Sequence, residues 1–245
     1  MEDRGESAAA TPPRPSPFAH LHLGWLLGGL AVILLLLPLD GPISRALIGL
    51  RLGGDLRREL ESLQQYGQTL STIVVAIAIW LQDPHHRRRL ADWAAAYIAA
   101  AVVVTLTKGL VGRPRPKFND PLYFLGPLGQ YPIDRASGGE PVGVRHAWEF
   151  WSGISSDLWS MPSSHTAFAV MMAVVVGTLY PRLRPLMWSL AALVGLARVL
   201  TGAHYPSDVA AGATIGLVIA HAAIKGEWGQ RVVDRWSGRA SRPPE

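Results

Sequence analysis

Residues 185–224 read PLMWSLAALVGLARVLTGAHYPSDVAAGATIGLVIAHAAI. Two apolar runs, Pro185–Ala197 and Val209–Ile224, flank a short joint that holds Arg198, His204 and Asp208. Neither run carries a charge, and the joint is too brief for anything but a reversal of direction. Such a pair reads as a hairpin of membrane helices with its ionisable residues gathered at one tip. Four further runs of the same character lie upstream: Leu23–Leu39, Ser62–Gln82, Trp93–Thr107 and Leu158–Pro181. A crossing takes roughly 17–25 residues, so the shorter runs extend into their flanks. The third then takes in Lys108 and the fifth Arg198.

Composition excludes the soluble alternative. Of 245 residues, 49% are hydrophobic and only 17% charged, which leaves too little polar sequence to coat a helical particle in water. The expected fold is all-α: a six-transmembrane-helix bundle with an amphipathic interfacial helix over residues 43–66 and a long extracytoplasmic segment, 112–160, between helices 3 and 4. Residues 1–19, with Thr-Pro-Pro-Arg-Pro-Ser-Pro at their centre, form a disordered tail. The membrane domain covers 20–224, and 225–245 is a basic cytoplasmic tail. No small-residue cleavage signature follows the first run, so the first helix is retained.

The net charge of +5 does not point to nucleic acid, because the basic residues fall between the apolar runs and not on one aromatic-studded face. Twelve Lys and Arg lie on the side that holds the amino terminus, against nine on the other over a longer stretch. The denser side should be cytoplasmic, with both termini inside. Trp25, Trp80, Trp93, Trp159 and Trp188 near run ends suit interfacial anchoring, as do Trp148, Phe150 and Trp151 in the outer segment. Lys108, Arg115, His165, Arg198, His204 and Asp208 then share the outer side, where topogenic cations are disfavoured. Something else must hold them there.

Their chemistry is that of phosphoryl transfer, which needs neutralised equatorial oxygens, an in-line nucleophile and a proton for the leaving oxygen. Lys108, Arg115 and Arg198 can supply the charge, the arginines through paired hydrogen bonds to phosphate. His204 can attack phosphorus if neutral, with Asp208 accepting the proton of its other ring nitrogen. His165 can protonate the leaving group. Ser163 and the backbone N–H groups at the start of the fourth helix, Ser164 included, add donors. The bland readings are that Asp208 and Ser163 are helix caps and that each histidine is structural. None of these explains three such segments in this order on one side.

The three segments resemble the signature motifs of the type 2 phosphatidic acid phosphatase family, which also includes vanadium haloperoxidases. Lys-x6-Arg-Pro is matched by Lys108 and Arg115-Pro116, Pro-Ser-Gly-His by Pro162-Ser163-Ser164-His165, and Ser-Arg-x5-His-x3-Asp by Ala197-Arg198 through His204 and Asp208. Arg113-Pro114 does not fit the first spacing, so Arg113 belongs at most behind the site. The resemblance spans residues 93–224. It implies His204 as nucleophile, Asp208 as its partner, His165 as general acid, and Lys108, Arg115, Ser163 and Arg198 as phosphate ligands, with Ser164 binding phosphate only through its place at the helix start. Ser164 stands for a glycine and Ala197 for a serine; neither change removes a charge or a proton donor. The short interval between the second and third motifs suits the membrane-bound phosphatases, and not a large soluble haloperoxidase.

His221, His85 and His86 are set aside as packing and loop residues. The sequence has no Cys/His cluster, no His-Glu-x-x-His and no paired-carboxylate array, so no metal and no cofactor are expected. The substrate expected is a phosphorylated or pyrophosphorylated lipid in the bilayer of a bacterial cytoplasmic membrane. A lipid phosphotransferase using the same phosphohistidine, or a non-catalytic anion-binding membrane protein or transporter, is the rival. The lipid and the oligomeric state are not legible.

Overall fold

The computed structural model describes residues 17–49, 53–132, 143–149 and 155–238. Its α-helices are α1 Pro17–Gly49, α2 Gly54–Leu63, α3 Thr69–Gln82, α4 Arg89–Val111, α5 Ser164–Leu179, α6 Arg184–Leu200, α7 Pro206–Gly226 and α8 Trp228–Trp236. The outer segment adds short 3₁₀ turns and a two-stranded antiparallel ladder in which β1 Tyr131–Pro132 pairs with β2 Val144–Arg145. The chain is therefore mostly helical, as the runs require.

Among the described residues four helices are long and apolar enough to cross a bilayer: His22–Leu47, Arg89–Phe118, Pro181–Leu200 and Pro206–Gly226. The second and fourth sequence runs give only the 14-residue α3 and the 16-residue α5. The reason is local. Tyr66-Gly67 sits in a 3₁₀ turn, Gln64–Gly67, that takes the start of the second run out of the helix. The fourth run loses its start because residues from Leu158 to Ser163 are spent on shaping the site. Shortness costs α5 little, since Ala169–Gly177 is buried throughout and its sides face protein.

Two other expectations shift. The amphipathic stretch 43–66 is not one helix: α1 carries on past Pro38 and Pro42 to Gly49, and the amphipathic piece proper is α2, with Asp55, Arg57, Arg58 and Glu61 outward. Proline removes a backbone donor but need not end a helix whose neighbours support it. The basic tail is partly ordered as α8, whose first amides, Gly229 and Gln230, donate to the buried Asp92 of α4 at 3.0 and 3.1 Å. Of the residues assigned to the disordered tail, 1–16 lie outside the described residues, as do Phe150 and Trp151; Pro17–Ala19 are already helical. Trp148 is exposed at 42% and stacks on His146.

Helix α5 is the hub, packed against α4, α6 and α7 through a core that includes Met171, Met172, Val175 and Val194. Small residues let α7 approach it closely. A Cβ added at Gly212 or Gly216 would come within 2.2 Å of the Ser163 or Ala167 carbonyl oxygen. Between helices in lipid such small-xxx-small surfaces replace the hydrophobic drive with close contact. Here the contact clamps the start of α5 beside the start of α7. Helix ends thus collect at two levels. At one, the ends of α1, α4 and α6 meet the starts of α5 and α7. At the other, Tyr180 after α5 donates to Asp83 after α3 at 2.9 Å, and Asp92 in the first turn of α4 caps the start of α8.

Candidate active site

Each charged group at the first level is placed by backbone geometry. After α4 the chain turns at Gly112, whose φ of +57° places it in the left-handed region that glycine tolerates. This throws Arg113 inward and Arg115 toward the cluster of cations. The Ser160 amide donates to the Arg113 carbonyl at 2.9 Å, and the Arg115 amide to that of Asp157 at 2.9 Å, tying the segment before α5 to the one after α4. The Ser163 amide donates to the Asp208 carbonyl at 3.0 Å and the His204 amide to the Arg198 carbonyl at 3.1 Å. All three sequence segments are thereby stitched together.

Within this frame Lys108 Nζ donates to Ser164 Oγ at 3.2 Å. The serine that stands where the family pattern has glycine thus supplies an acceptor for the lysine. Arg198, only 6% exposed, donates to Gln64 Oε1, while its Nε is buried without a hydrogen-bond partner. An orphaned guanidinium nitrogen in this setting is a vacant donor for an anion. Arg115 Nε donates to the Ser156 carbonyl at 2.7 Å. The charged neighbours of His165 are Arg198, Lys108, Arg115 and the His204 ring, so the predicted residues occupy one cluster. Gln68 Nε2 and His165 Nε2 lie 3.3 Å apart. Ser163 caps nothing with its side chain; its hydroxyl accepts from Thr166 at 3.0 Å, and its amide is already taken by Asp208. The free amides at this helix start are the next ones along.

His204 is almost fully buried. Its Nδ1 lies 2.6 Å from the Ser160 carbonyl oxygen, which can only accept, so Nδ1 carries the hydrogen. Nε2 is left with a lone pair. The motif spacing makes Asp208 the expected acceptor, but Asp208 Oδ2 stands 3.7 Å from the same nitrogen, farther than the Ser160 carbonyl. The carboxylate has other duties. Oδ2 accepts from Ser160 Oγ at 2.5 Å and from the Tyr205 amide at 2.8 Å, and Oδ1 accepts from Arg113 at 2.6 Å. It is thus both the helix cap of the bland reading and a charge behind the histidine. Burial holds the His204 imidazole down to about 4, against the opposing pull of Asp208, so the ring is neutral at neutral pH.

Sequence reasoning missed Asp40, Ser160, Gln64 and Gln68; Arg113 lies behind the site, as its spacing allowed, fully buried between Asp40 and Asp208. Asp40 alone had a readable signal, a lone acid at the end of an apolar run.

A family model described as the PAP2 superfamily matches residues 89–231. A lipid A 1-phosphatase of Rhizobium johnstonii is 28% identical over 203 residues, covering 76% of this chain and 72% of its own length. One of Rhizobium etli is 28% identical over 173 residues, covering 64% and 65%. The crystal structure of Aquifex aeolicus LpxE superposes with a TM-score of 0.55 at 19% identity, over 76% of this chain and 95% of that one. That of a PAP2-type phosphatidylglycerolphosphate phosphatase from Bacillus subtilis gives 0.57 at 18% identity, over 84% and 94%.

Proposed function

The chain belongs to the PAP2 superfamily, and on that premise we propose that it hydrolyses a lipid phosphomonoester through a phosphohistidine on His204. The observation that carries this is the His204 tautomer: Nδ1–H is spent on the Ser160 carbonyl, so Nε2 offers its lone pair to phosphorus. Lys108, Arg115 and Arg198, with Ser163 and Ser164 at the start of α5, hold the three equatorial oxygens. His204 Nε2 forms the N–P bond as the P–O bond to the lipid breaks, and His165 gives its proton to the departing oxygen. Among three cations His165 needs the negative charge of the bound phosphate in order to carry that proton. His165, now neutral, takes a proton from water, which attacks phosphorus, breaks the N–P bond and frees phosphate with His204 restored.

The lipid named for the two Rhizobium relatives makes a lipid A 1-phosphate the first substrate to try. We place the site on the extracytoplasmic side of a bacterial cytoplasmic membrane, with six crossings and both termini inside. The denser Lys and Arg on the opposite side and the two levels of helix ends support this. The test is phosphate release by purified protein, in chelator, from lipid A 1-phosphate, phosphatidic acid, phosphatidylglycerophosphate and undecaprenyl pyrophosphate. Release from at least one lipid in chelator is expected. Activity lost in chelator and restored by a divalent ion contradicts the mechanism, and label passing chiefly to a second lipid makes the protein a phosphotransferase.

A further inference from the structure

Asp40 lies on α1, outside the matched stretch 89–231, yet its carboxylate is fully buried at the back of the site. Arg113 reaches it with Nη2 at 2.7 Å while Nη1 holds Asp208 at 2.6 Å. The Ser207 amide donates to Asp40 Oδ1 at 3.0 Å, and the Ser207 hydroxyl donates to Oδ2. The Arg113 guanidinium lies 4.3 Å over the Tyr205 ring and is sealed from water. One buried cation is therefore shared by two buried carboxylates.

This is an expensive way to bury an arginine. A single Asp208–Arg113 pair would be neutral, whereas the added carboxylate leaves a surplus negative charge that must be desolvated. The surplus matters because His204 faces mostly cations. Arg198 of α6 and Arg115 after α4 act on it and His165 of α5 stands beside it, against Asp208 of α7 as the one carboxylate acting on it among the described residues. Near the network itself the other ionisable groups are Tyr205 and Asp120. When His204 attacks, its ring becomes a cation. If Arg113 spent its whole charge on Asp208, little field would remain to stabilise that cation.

We propose that Asp40 is a positioning residue for the phosphatase reaction: it draws off part of the Arg113 charge, so that Asp208 can stabilise the His204 cation, and it pins the first turn of α7 through Ser207. The inference rests on the phosphohistidine reading. Asp40→Asn keeps the shape and deletes the surplus charge, so the charged ring is disfavoured. Arg113→Gln deletes the opposing cation and has the opposite effect. The double variant restores the balance.

The experiment is the single-turnover rate of lipid-phosphate hydrolysis, at saturating substrate, as a function of pH, using the full chain purified in detergent. The acid limb should move down by about half a unit or more in Asp40→Asn and up by a similar amount in Arg113→Gln. In the double variant it should return toward the wild-type position. A merely structural role changes the amplitude in every variant and moves no limb, or moves all limbs the same way; either outcome overturns the inference. If Asp40→Asn is not recovered folded, the double variant decides, and a limb displaced from wild type by half a unit or more is contrary. A wild-type protein that turns over with no acid limb contradicts the phosphohistidine reading itself, whereas a wild-type limb untouched by Asp40→Asn contradicts this inference alone.

Discussion

The two ends of the helix bundle bury charge in opposite ways. At the end that holds His204, Asp40, Arg113, Arg198 and Asp208 are each 6% exposed or less. At the far end Arg88 pairs with Asp234 at 2.5 Å with the arginine side chain 57% exposed, and His86 pairs with Asp83 at 2.7 Å in a half-open turn. Exposed pairs of the second kind contribute about 0–1 kcal/mol and serve topology and capping. Buried charges of the first kind carry a desolvation cost that folding alone does not recover, so their retention signals chemistry. Asp92 is the informative exception at the far end. It is fully buried, but its oxygens accept from the Gly229 and Gln230 amides, the Gln230 side chain and Arg89, and no buried polar atom left without a partner is found beside it among the described residues.

The largest break between the two ends should come from His204→Ala, which removes the proposed nucleophile. Phosphate release should fall by at least ~10³-fold with the protein still inserted, and turnover near the wild-type rate would end the covalent proposal. Next, Arg113→Ala strands two buried carboxylates. A loss of about 3–5 kcal/mol in resistance to denaturant is expected, and a change below 1 kcal/mol would mean the network is not closed as described.

Acid provides a third contrast. The His204 imidazole is held down to about 4 by burial, from an ordinary value near 6.5. The unfolded chain therefore binds the extra proton first, so this residue's contribution to stability is complete above about 6.5 and is lost as pH falls toward 4. For the same reason kcat/KM should keep its His204-dependent plateau below pH 6. A limb assignable to His204 near 6.5 would show that the site is wetter than its geometry. The smallest effect belongs to the far end. Arg88→Ala should change stability by less than about 0.5 kcal/mol and leave hydrolysis unchanged. A large loss of activity there would erase the distinction between the ends.

What the sequence could and could not reveal follows the same division. The apolar runs announced the helices because period and length are local properties, and the three motifs announced His204, His165 and the cations because their spacing sits at run ends. Helix length was less legible. Whether Tyr66-Gly67 continues a helix depends on the fit of Gly67 against the His165 carbonyl, which is nearly 100 residues away in the chain. The acceptor for His204 Nδ1 was not readable at all, since it is the backbone carbonyl of Ser160, and a carbonyl has no sequence signature. Asp40 became meaningful only when α1 brought it to Arg113.

The central claim is that His204 Nε2 takes the phosphoryl group. Its most direct test is rapid acid-free quenching of the purified protein during turnover of a lipid labelled in its phosphate, followed by peptide mapping. The account predicts an acid-labile, alkali-stable label on the peptide containing His204, present in the wild type and absent from His204→Ala. Label on another residue, or single-turnover release of phosphate with no protein-bound label at any time down to the dead time, would contradict it.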